Sequence, residues 1–194
     1  MRAESYEQRL EAGLPAALPP CRLAALHAAL ILELATPADA PAIAALGAAV
    51  ARELTCRFGT GHWSSEGSER GVLNNLRTAS IYIAKKHDGV IASFQLATKK
   101  PWAIDPKYFT PCERPLYLTS MAVAPAMQRQ GIGRLCLEEA KQIVKLWPAG
   151  AIRLDCYDAD AGASKFYRKC GLAEVGRVSF PVTPLIYFEQ MISP

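Results

Sequence analysis

The chain has 194 residues, of which 51% are hydrophobic and 21% are charged, and its formal net charge is +4. This balance fits one globular domain with a core of its own and excludes a disordered or fibrous chain. The mild positive charge suits an anionic small molecule. It does not indicate nucleic acid, because the sequence has no run of Lys and Arg and no basic stripe with interleaved aromatic residues.

The cysteines and the apolar segments favour a cytoplasmic protein that holds no metal and does not enter a membrane. Six cysteines are scattered along the chain without a Cys-x-x-Cys pair, and the three histidines add no spacing typical of metal ligands. We expect these cysteines to be reduced thiols, as in the cytosol. The longest apolar-rich run, residues 23–35, is too short to span a membrane and contains His27 and Glu33.

The first 27 residues are predicted to lie outside the folded domain. Residues 1–27 are rich in Ala and Leu and contain Pro15, Pro19 and Pro20, a composition typical of a surface arm or extension. Such an arm either supplies contacts for a homodimer or has no function of its own. We place the single domain at residues 28–194.

The domain begins with a predicted strand over residues 29–35 and a helix that starts immediately after it. Thr36 is the expected N-cap, Pro37 takes the first helical position and Asp39 completes a capping box. The buried stripe of this helix consists of Ile43, Leu46, Val50 and Leu54. A second, shorter helix is predicted from near Ser68 to Arg77, and its buried residues are Val72, Leu73 and Leu76.

A hairpin is predicted next. Two apolar segments, residues 80–84 and 90–96, flank Asp88-Gly89, which is a strong signal for a type I′ turn. Residues 99–115 contain four prolines and are predicted to be irregular. A buried strand over residues 117–123 follows and ends before Pro125.

After Pro125 and a turn, a long helix is predicted to begin near Ile132 and to end before Pro148 and Gly150. Its apolar residues fall on one face at helical spacing; they are Ile132, Leu135, Cys136, Ile143, Val144 and Trp147. Its charged residues fall elsewhere and are expected to face water; they are Arg134, Glu138, Lys141 and Lys145.

The remaining predicted elements are a strand at residues 151–157, a short helix at 161–170 that Gly171 ends, and two strands at 172–180 and 185–192. This order predicts an α/β fold with a mixed, mostly antiparallel central sheet of about seven strands and flanking helices. Strands joined by the hairpin are antiparallel, whereas strands joined by the long helix are parallel.

The turn before the long helix has the chemistry of a phosphate site. A helix N-terminus has about four backbone N–H groups without internal partners and a partial positive charge. Gly131 and Gly133 lack a Cβ atom, which lets a phosphate approach the backbone, and Gln128, Arg129 and Arg134 add donors. The spacing Gln-x-x-Gly-x-Gly is neither a dinucleotide fingerprint nor a P-loop. Taken alone, it also fits a plain loop with two turn glycines.

Two segments resemble motifs of the GNAT superfamily of N-acetyltransferases. Val123-Ala124-Pro125 and Gln128-Arg129-Gln130-Gly131-Ile132-Gly133 resemble the family's strand end Val-x-Pro and its pyrophosphate-binding pattern Arg/Gln-x-x-Gly-x-Gly/Ala. Residues 160–172 resemble its Asn-x-x-Ala-x-x-Phe-Tyr-x-x-x-Gly-Phe helix. Both motifs occur in family order with a strand between them. The resemblance covers roughly residues 30–192 and implies the GNAT fold.

The resemblance implies that acetyl-CoA lies between the strands at 117–123 and 151–157, which splay apart in the family, often at a bulge. The backbone of Met121, Ala122 and Val123 would pair with the pantetheine arm, and the Val123 amide would stabilise the oxyanion. The pyrophosphate would lie against the turn, whose residues are Gln128, Arg129, Gln130, Gly131, Ile132, Gly133 and Arg134.

The resemblance also makes Tyr167 the general acid that protonates the departing thiolate and a contact of the cofactor; core packing is the alternative role. Asp160 stands where the family has a cofactor-contacting Asn, so its contact would run through water or be absent. Thr119 and Ser120 stand where many relatives carry a glutamate base. The general base would then be water or a side chain from another segment, and the candidates are Glu53, His62 and Glu113. The loops at 57–64 and 179–184, with Trp63 and Phe180, are expected to shape the acceptor pocket.

The function implied by the resemblance is transfer of the acetyl group of acetyl-CoA to a primary amine. The amine belongs to a small molecule or a peptide, attack is direct and passes through a tetrahedral intermediate, and no metal takes part. Two other functions stay open. One is a non-catalytic acyl-CoA-binding sensor or regulatory module, which the missing strand carboxylate favours. The other is a toxin that acetylates charged tRNA, for which the weak positive charge gives little support.

Overall fold

The computed structural model describes residues 30–87, 89–147, 149–180 and 183–192. The strands in this part of the chain are β1 (Leu30–Leu34), β2 (Ser80–Lys86), β3 (Gly89–Ala97), β4 (Pro115–Val123), β5 (Ala151–Tyr157), β6 (Ala173–Phe180) and β7 (Thr183–Met191). The α-helices are α1 (Ala40–Phe58), α2 (Glu69–Leu76), α3 (Ile132–Leu146) and α4 (Ser164–Lys169). The predicted arm at residues 1–27 lies outside the described residues, and the domain boundary at residue 28 stays a prediction.

The strands form one seven-stranded sheet in the order β1-β2-β3-β4-β5-β7-β6. Neighbouring strands are antiparallel except for β4 and β5, which are parallel. The crossover through α3 brings the chain back to start β5 at the same end as β4, which is why this pair alone is parallel. The predicted mixed, mostly antiparallel sheet of about seven strands is confirmed.

Side chains alternate across the sheet and build a core on each face. On one face, which we call the α3 face, residues such as Phe94, Leu118 and Phe188 pack under α3 and α4. On the opposite face, which we call the α1 face, Ile81 and Ile83 pack under α1 and α2. Farther along the α1 face, a cluster around Tyr187 packs under the irregular segment between β3 and β4.

The capping box that was predicted at the start of the first helix is present. A 3-10 turn, Pro37–Asp39, precedes α1, and the Thr36 N–H and Oγ1 both donate to Asp39 Oδ2 at 2.8 Å. Ile43 and Leu46 are buried as predicted, whereas Val50 and Leu54 are only half-buried. In α2 the Ser68 Oγ accepts the Gly71 N–H at 3.2 Å. Val72 there is buried, but Leu73 is exposed, so its predicted burial is wrong.

The long helix differs from its prediction at Lys141, which was expected to face water. Its side chain is 8% exposed, and its ammonium donates to the Cys170 carbonyl and to Glu138 Oε1, each at 3.0 Å. Cys170 follows the last residue of α4, where helix carbonyls lack internal donors. The aliphatic stem of Lys141 is covered by α4 while its charge satisfies that helix end.

The hairpin and the last short helix form where the sequence indicated. Lys86 of β2 pairs with Gly89 of β3, but the turn residue Asp88 lies outside the described residues, so the predicted turn type stays a prediction. The helix predicted at 161–170 is shorter, Ser164–Lys169, and it ends before Gly171, whose φ of +82° lies in the left-handed region.

A buried ion pair holds the irregular segment 98–114 against the sheet. Arg153 of β5 and Glu189 of β7 are cross-strand partners, with 2.8 Å between Nε and Oε1 and side chains 5% and 3% exposed. Glu189 Oε2 accepts the Thr110 N–H at 3.0 Å, and Arg153 Nη2 donates to the Thr110 carbonyl. The Arg153 guanidinium also lies 4.9 Å from the centre of the Phe109 ring. These contacts hold the segment against β5 and β7.

No helix in the described part of the chain is both long and apolar enough to cross a bilayer. The same residues contain no group of three or more His, Cys, Asp or Glu side chains that could hold a metal ion. Five of the six cysteines lie in this part of the chain and all five are free thiols, namely Cys56, Cys112, Cys136, Cys156 and Cys170.

Candidate functional site

The sheet opens between β4 and β5. These strands pair only where Pro115–Tyr117 run beside Ala151–Arg153, and beyond that point β4 stays paired with β3 and β5 with β7. The β3–β4 register shifts between Ser93 and Gln95, because β4 contains one extra residue there, and Ser120 has a φ of +50°. This β-bulge bends β4 away from β5. The splay and the bulge that the resemblance implied are both present.

The amide of Val123 faces this gap. The N–H of Ala124 donates to the Ile91 carbonyl of β3 at 2.8 Å. Because N–H directions alternate along a strand, the N–H of Val123 points to the opposite edge of β4, and the polar groups of Ala122, which pairs with Ser93, point to β3. The Val123 carbonyl accepts a hydrogen bond from Gln128 Nε2 at 3.1 Å. Among the predicted backbone contacts, the amide best aimed at a ligand in the gap is therefore that of Val123.

The turn between β4 and α3 ends in two left-handed residues. After a 3-10 turn, Pro125–Met127, the chain passes through Arg129 with a φ of +61° and Gly131 with a φ of +84°. Gly131 is the N-cap of α3, and its carbonyl accepts the first helical N–H, that of Leu135, at 3.0 Å. The amides of residues 132–134 therefore have no acceptor within the helix. This end of a 15-residue helix carries a partial positive charge.

The side chains of the turn divide into anchors and exposed donors. Ile132 is buried in the core under α3, whereas Arg129, Gln130 and Arg134 are exposed. A Cβ atom on Gly133 would lie 3.5 Å from the Phe166 ring and 3.7 Å from Met121 Cε. The space beside Gly133 is therefore a packing contact with α4 and β4. The conformational need for glycine in this turn falls on Gly131, because of its positive φ.

Tyr167 reaches the gap from α4. Its side chain is 7% exposed and packs against Phe166 and Phe188, with ring centres 5.1 and 5.7 Å away. Burial raises the pKa of its hydroxyl, and the nearby charges of Cys156 and Asp155 raise it further. No described residue accepts a hydrogen bond from this hydroxyl. The raised pKa keeps Tyr167 a protonated phenol at neutral pH.

Asp160 and two of the predicted bases lie on three separate segments of the chain. Asp160 is exposed in the turn between β5 and α4. Glu53 lies on α1, 3.9 Å from Arg57 of the same helix, and Glu113 is exposed in the segment before β4. The side chain of Phe180 lies outside the described part of the structure.

Aromatic residues gather over the end of β5 on the α1 face. The loop after α1 brings His62 to 6.4 Å from Tyr157, with the rings stacked at 27°, and Trp63 to 5.9 Å from Tyr157, edge-on at 67°. Trp63 Nε1 donates to the Gly59 carbonyl at 3.0 Å, which holds the indole in place. That the loop at 57–64 shapes an acceptor pocket stays a prediction; the structure places it against Tyr157 at the end of β5.

One carboxylate at the gap was not singled out from the sequence. Asp155 lies on β5 two residues beyond the last residue paired with β4, and its side chain is half-buried on the α1 face. Burial raises the pKa of this carboxyl. Its charge in turn raises the pKa of Tyr157, Tyr167 and Tyr187. An acidic residue inside the strand Ala151–Tyr157, whose one other charged residue is Arg153, was the signal that could have identified it.

The arrangement fits an elongated, anionic ligand. An extended, amide-bearing chain could add to the free edge of β4 as a further strand, and a diphosphate could lie on the free amides of residues 132–134 beside the exposed Arg129 and Arg134. The reactive end of such a ligand would then lie between the Val123 amide and the Tyr167 hydroxyl.

Comparisons with known proteins agree with this description. Residues 48–172 match the family model described as the acetyltransferase (GNAT) family. The ribosomal-protein-S18-alanine N-acetyltransferase of Escherichia coli is 17% identical, with 85% of this chain and 95% of that chain covered and a TM-score of 0.63. An acetyltransferase of the GNAT family from Listeria monocytogenes is 15% identical, with 84% and 95% covered and a TM-score of 0.64. The N-acetyltransferase of Staphylococcus aureus is 14% identical, with 84% and 98% covered and a TM-score of 0.61. The search of curated proteins found no match.

Proposed function

The chain belongs to the acetyltransferase (GNAT) family, and from that premise we propose that it transfers the acetyl group of acetyl-CoA to a primary amine. The acceptor is a small molecule or the amine of a peptide. The amine attacks the thioester directly, and the reaction passes through a tetrahedral intermediate without a metal. The free thiols of the described cysteines support a cytosolic site of action.

Acetyl-CoA is held by backbone groups in this proposal. The pyrophosphate binds the amides of residues 129–134 with Arg129 and Arg134 beside it, and the pantetheine arm runs along the open edge of β4. The single observation that carries the proposal is that β4 and β5 separate after Tyr117 and Arg153, directly before the turn that presents the free amides. A thioester laid in that gap lies next to Val123 and Tyr167.

Two groups of the chain then perform the chemistry on the thioester. The Val123 N–H, which points into the gap, stabilises the negative charge that develops on the carbonyl oxygen. Tyr167 gives its proton to the sulfur as the C–S bond breaks. The raised pKa of its hydroxyl keeps the proton in place at neutral pH, and the lack of a hydrogen-bond partner among the described residues leaves it available.

Thiol release from acetyl-CoA tests the proposal with a defined set of acceptors. Tyramine, cadaverine and a peptide with an N-terminal alanine represent aromatic, aliphatic and peptide amines. We expect at least one of them to raise the rate of thiol release well above hydrolysis, with one acetylated product per thiol. Tight binding of acetyl-CoA without amine-dependent release would instead favour the acyl-CoA sensor. Release that requires aminoacyl-tRNA would favour the toxin.

A further inference from the structure

Asp155 is an unpaired carboxylate held on a rigid strand at the edge of the gap. One edge of β5 is free at this position, while the other stays paired with β7, where Tyr187 lies opposite Asp155. Side chains alternate along β5, so Asp155 shares the α1 face with Arg153 and Tyr157. The side chain therefore lies on the face of the sheet opposite α4, which carries Tyr167.

The other acidic groups near Asp155 are already paired. Glu189 binds Arg153 at 2.8 Å, and Asp158 binds Arg177 at 2.7 Å. Apart from its own backbone N–H, no residue in the described ranges donates a hydrogen bond or an ion pair to the Asp155 carboxylate. An unpaired, half-buried carboxylate has a desolvation cost that a bound cation offsets.

The remaining neighbours of Asp155 are aromatic rings and a thiol. Cys156 and Tyr157 follow it on β5, Tyr187 lies opposite it on β7, and Tyr167 lies on α4 at the other face of the sheet. Burial raises the pKa of each of these groups, and the Asp155 charge raises it further. His62 and Trp63 cover Tyr157 from the loop after α1. A carboxylate with Tyr157 and Tyr187 beside it on the same face of the sheet is a site that favours an organic ammonium ion.

We propose that Asp155 is the group that binds the acceptor as an ammonium ion and removes its proton before attack. This inference rests on the proposed N-acetyltransferase function and narrows its substrates to alkyl amines that are protonated at neutral pH. It also supplies a base that Thr119 and Ser120 cannot supply from β4, so water need not act alone.

The proton balance of the step is complete with groups already described. Asp155 Oδ takes one proton from the ammonium, and the neutral nitrogen uses its lone pair to form the C–N bond at the thioester carbonyl carbon. The carbonyl π electrons move to oxygen beside the Val123 N–H and return as the C–S bond breaks. Tyr167 protonates the sulfur, and the second proton lost by nitrogen restores Tyr167 through solvent. Asp155 releases its proton to water, so one proton is released in each turnover.

The two sides of the gap give base and acid separate positions. Asp155 projects from the α1 face, where Tyr157, His62 and Trp63 also lie, and Tyr167 comes from the α3 face, where it meets the sulfur. An amine that approaches from one face and a thiolate that leaves toward the other fits direct attack on a carbonyl lying in the gap.

The test compares Asp155→Asn with the wild-type enzyme on two acceptors of similar size, ethylamine and 2,2,2-trifluoroethylamine. Ethylamine is an ammonium ion at pH 7, whereas the fluorinated amine is mostly neutral. We expect Asp155→Asn to lower kcat/KM for ethylamine by about 100-fold but to lower it by less than about tenfold for trifluoroethylamine, which needs no base. Asp155→Glu should recover part of the loss. Equal losses on both amines, or no loss, would overturn the proposal.

Controls separate this inference from folding and from the proposed function. Asp158→Asn changes a neighbouring carboxyl in the same way and should leave both rates unchanged, and calorimetry should give the same acetyl-CoA affinity for all variants.

If the wild type accepts only larger amines from the acceptor panel, the pH profile of its kcat/KM is the test instead of the amine pair. Its kcat/KM should fall as pH falls through the Asp155 pKa, and Asp155→Asn should lose that limb. A wild type inactive on every amine would end both proposals, whereas an active wild type with a fully active Asp155→Asn would end this one alone.

Discussion

The two sides of the gap are built in different ways. The proposed donor side, residues 121–134, is one continuous stretch that offers backbone N–H groups and the left-handed turn at Gly131. The proposed acceptor side consists of side chains from two distant segments, namely His62, Trp63, Asp155 and Tyr157. The donor side depends on local conformation, whereas the acceptor side exists only once the sheet has formed. A mutation on the donor side and a mutation on the acceptor side should therefore change different measured quantities.

The largest effect is expected from breaking the buried ion pair that holds segment 98–114 against the sheet. Glu189→Ala leaves the Arg153 guanidinium buried without its carboxylate, so we expect the free energy of unfolding to fall by about 3–5 kcal/mol. The segment that Thr110 anchors should loosen with it, because Glu189 also accepts the Thr110 N–H. Urea unfolding measures the first effect, and hydrogen exchange of residues 98–114 measures the second.

Two further variants serve as controls for Glu189→Ala. Arg52→Ala removes a pair that is 63% and 49% exposed, and its loss should cost less than about 1 kcal/mol. Replacing both partners of the buried pair, as Arg153→Met with Glu189→Leu, should recover much of the lost stability. A small loss in Glu189→Ala would mean that the pair does not hold segment 98–114 against the sheet.

The next largest effect is expected at Tyr167, where the two sides meet. Tyr167→Phe removes the proton donor to sulfur, so kcat should fall by about 100-fold or more while the Kd for acetyl-CoA stays within about twofold. Tyr82→Phe is the matched control, because Tyr82 is equally buried, at 7% exposure on the same face, and should keep full activity. Parallel losses in kcat and affinity would make Tyr167 a packing residue.

The pH dependence adds an independent check on Tyr167. A general acid acts while it is protonated, so its contribution is lost as pH rises through its pKa. Burial and neighbouring negative charges raise the pKa of Tyr167 above the usual value of about 10. Its contribution to kcat should therefore stay constant up to about pH 10. A loss of kcat near pH 8 that disappears in Tyr167→Phe would contradict the raised pKa.

The contrast between the locally formed donor side and the acceptor side built from distant segments also explains what the sequence could predict. The strands, the phosphate turn and the position of Tyr167 follow from local patterns and from motif spacing, because neighbouring residues determine them. Lys141 was misassigned because nothing in the helix itself reveals that α4 will cover it. Asp155 was missed because a carboxylate at alternate spacing in a strand normally indicates a water-facing position, and the role proposed for it depends on the opening between β4 and β5, which the sequence does not reveal.

A moderate effect is expected at Gln128, which the sequence assigned to the phosphate site. Its Nε2 instead donates to the Val123 carbonyl, so Gln128→Ala should lower the free energy of unfolding by about 1 kcal/mol and change the acetyl-CoA Kd by less than about threefold. Gln130→Ala, at an exposed position, should cost less stability. A large loss of affinity with unchanged stability would return Gln128 to the set of phosphate donors.

The smallest effect is expected at Arg129, where fold and binding make opposite demands. Arg129 holds a φ of +61° although it is not glycine, a conformation that costs a non-glycine residue about 1 kcal/mol or more. Arg129→Gly should leave the free energy of unfolding unchanged or raise it by less than about 1 kcal/mol, because glycine removes the strain but loses more chain entropy on folding. Arg129→Ala keeps the strain and should be the less stable variant.

Both Arg129 variants lose the same guanidinium beside the diphosphate, so both should weaken acetyl-CoA binding equally, by about fivefold for one exposed charge contact. Calorimetry at two salt concentrations measures this, and the loss should shrink at high salt because an exposed charge is screened. An unchanged Kd in both variants would remove Arg129 from the donor side. A Kd that differs between glycine and alanine would mean instead that the left-handed backbone itself, and not the charge, sets the position of the amides. The strain at Arg129 would then be retained for binding, at a cost in stability that the rest of the fold offsets.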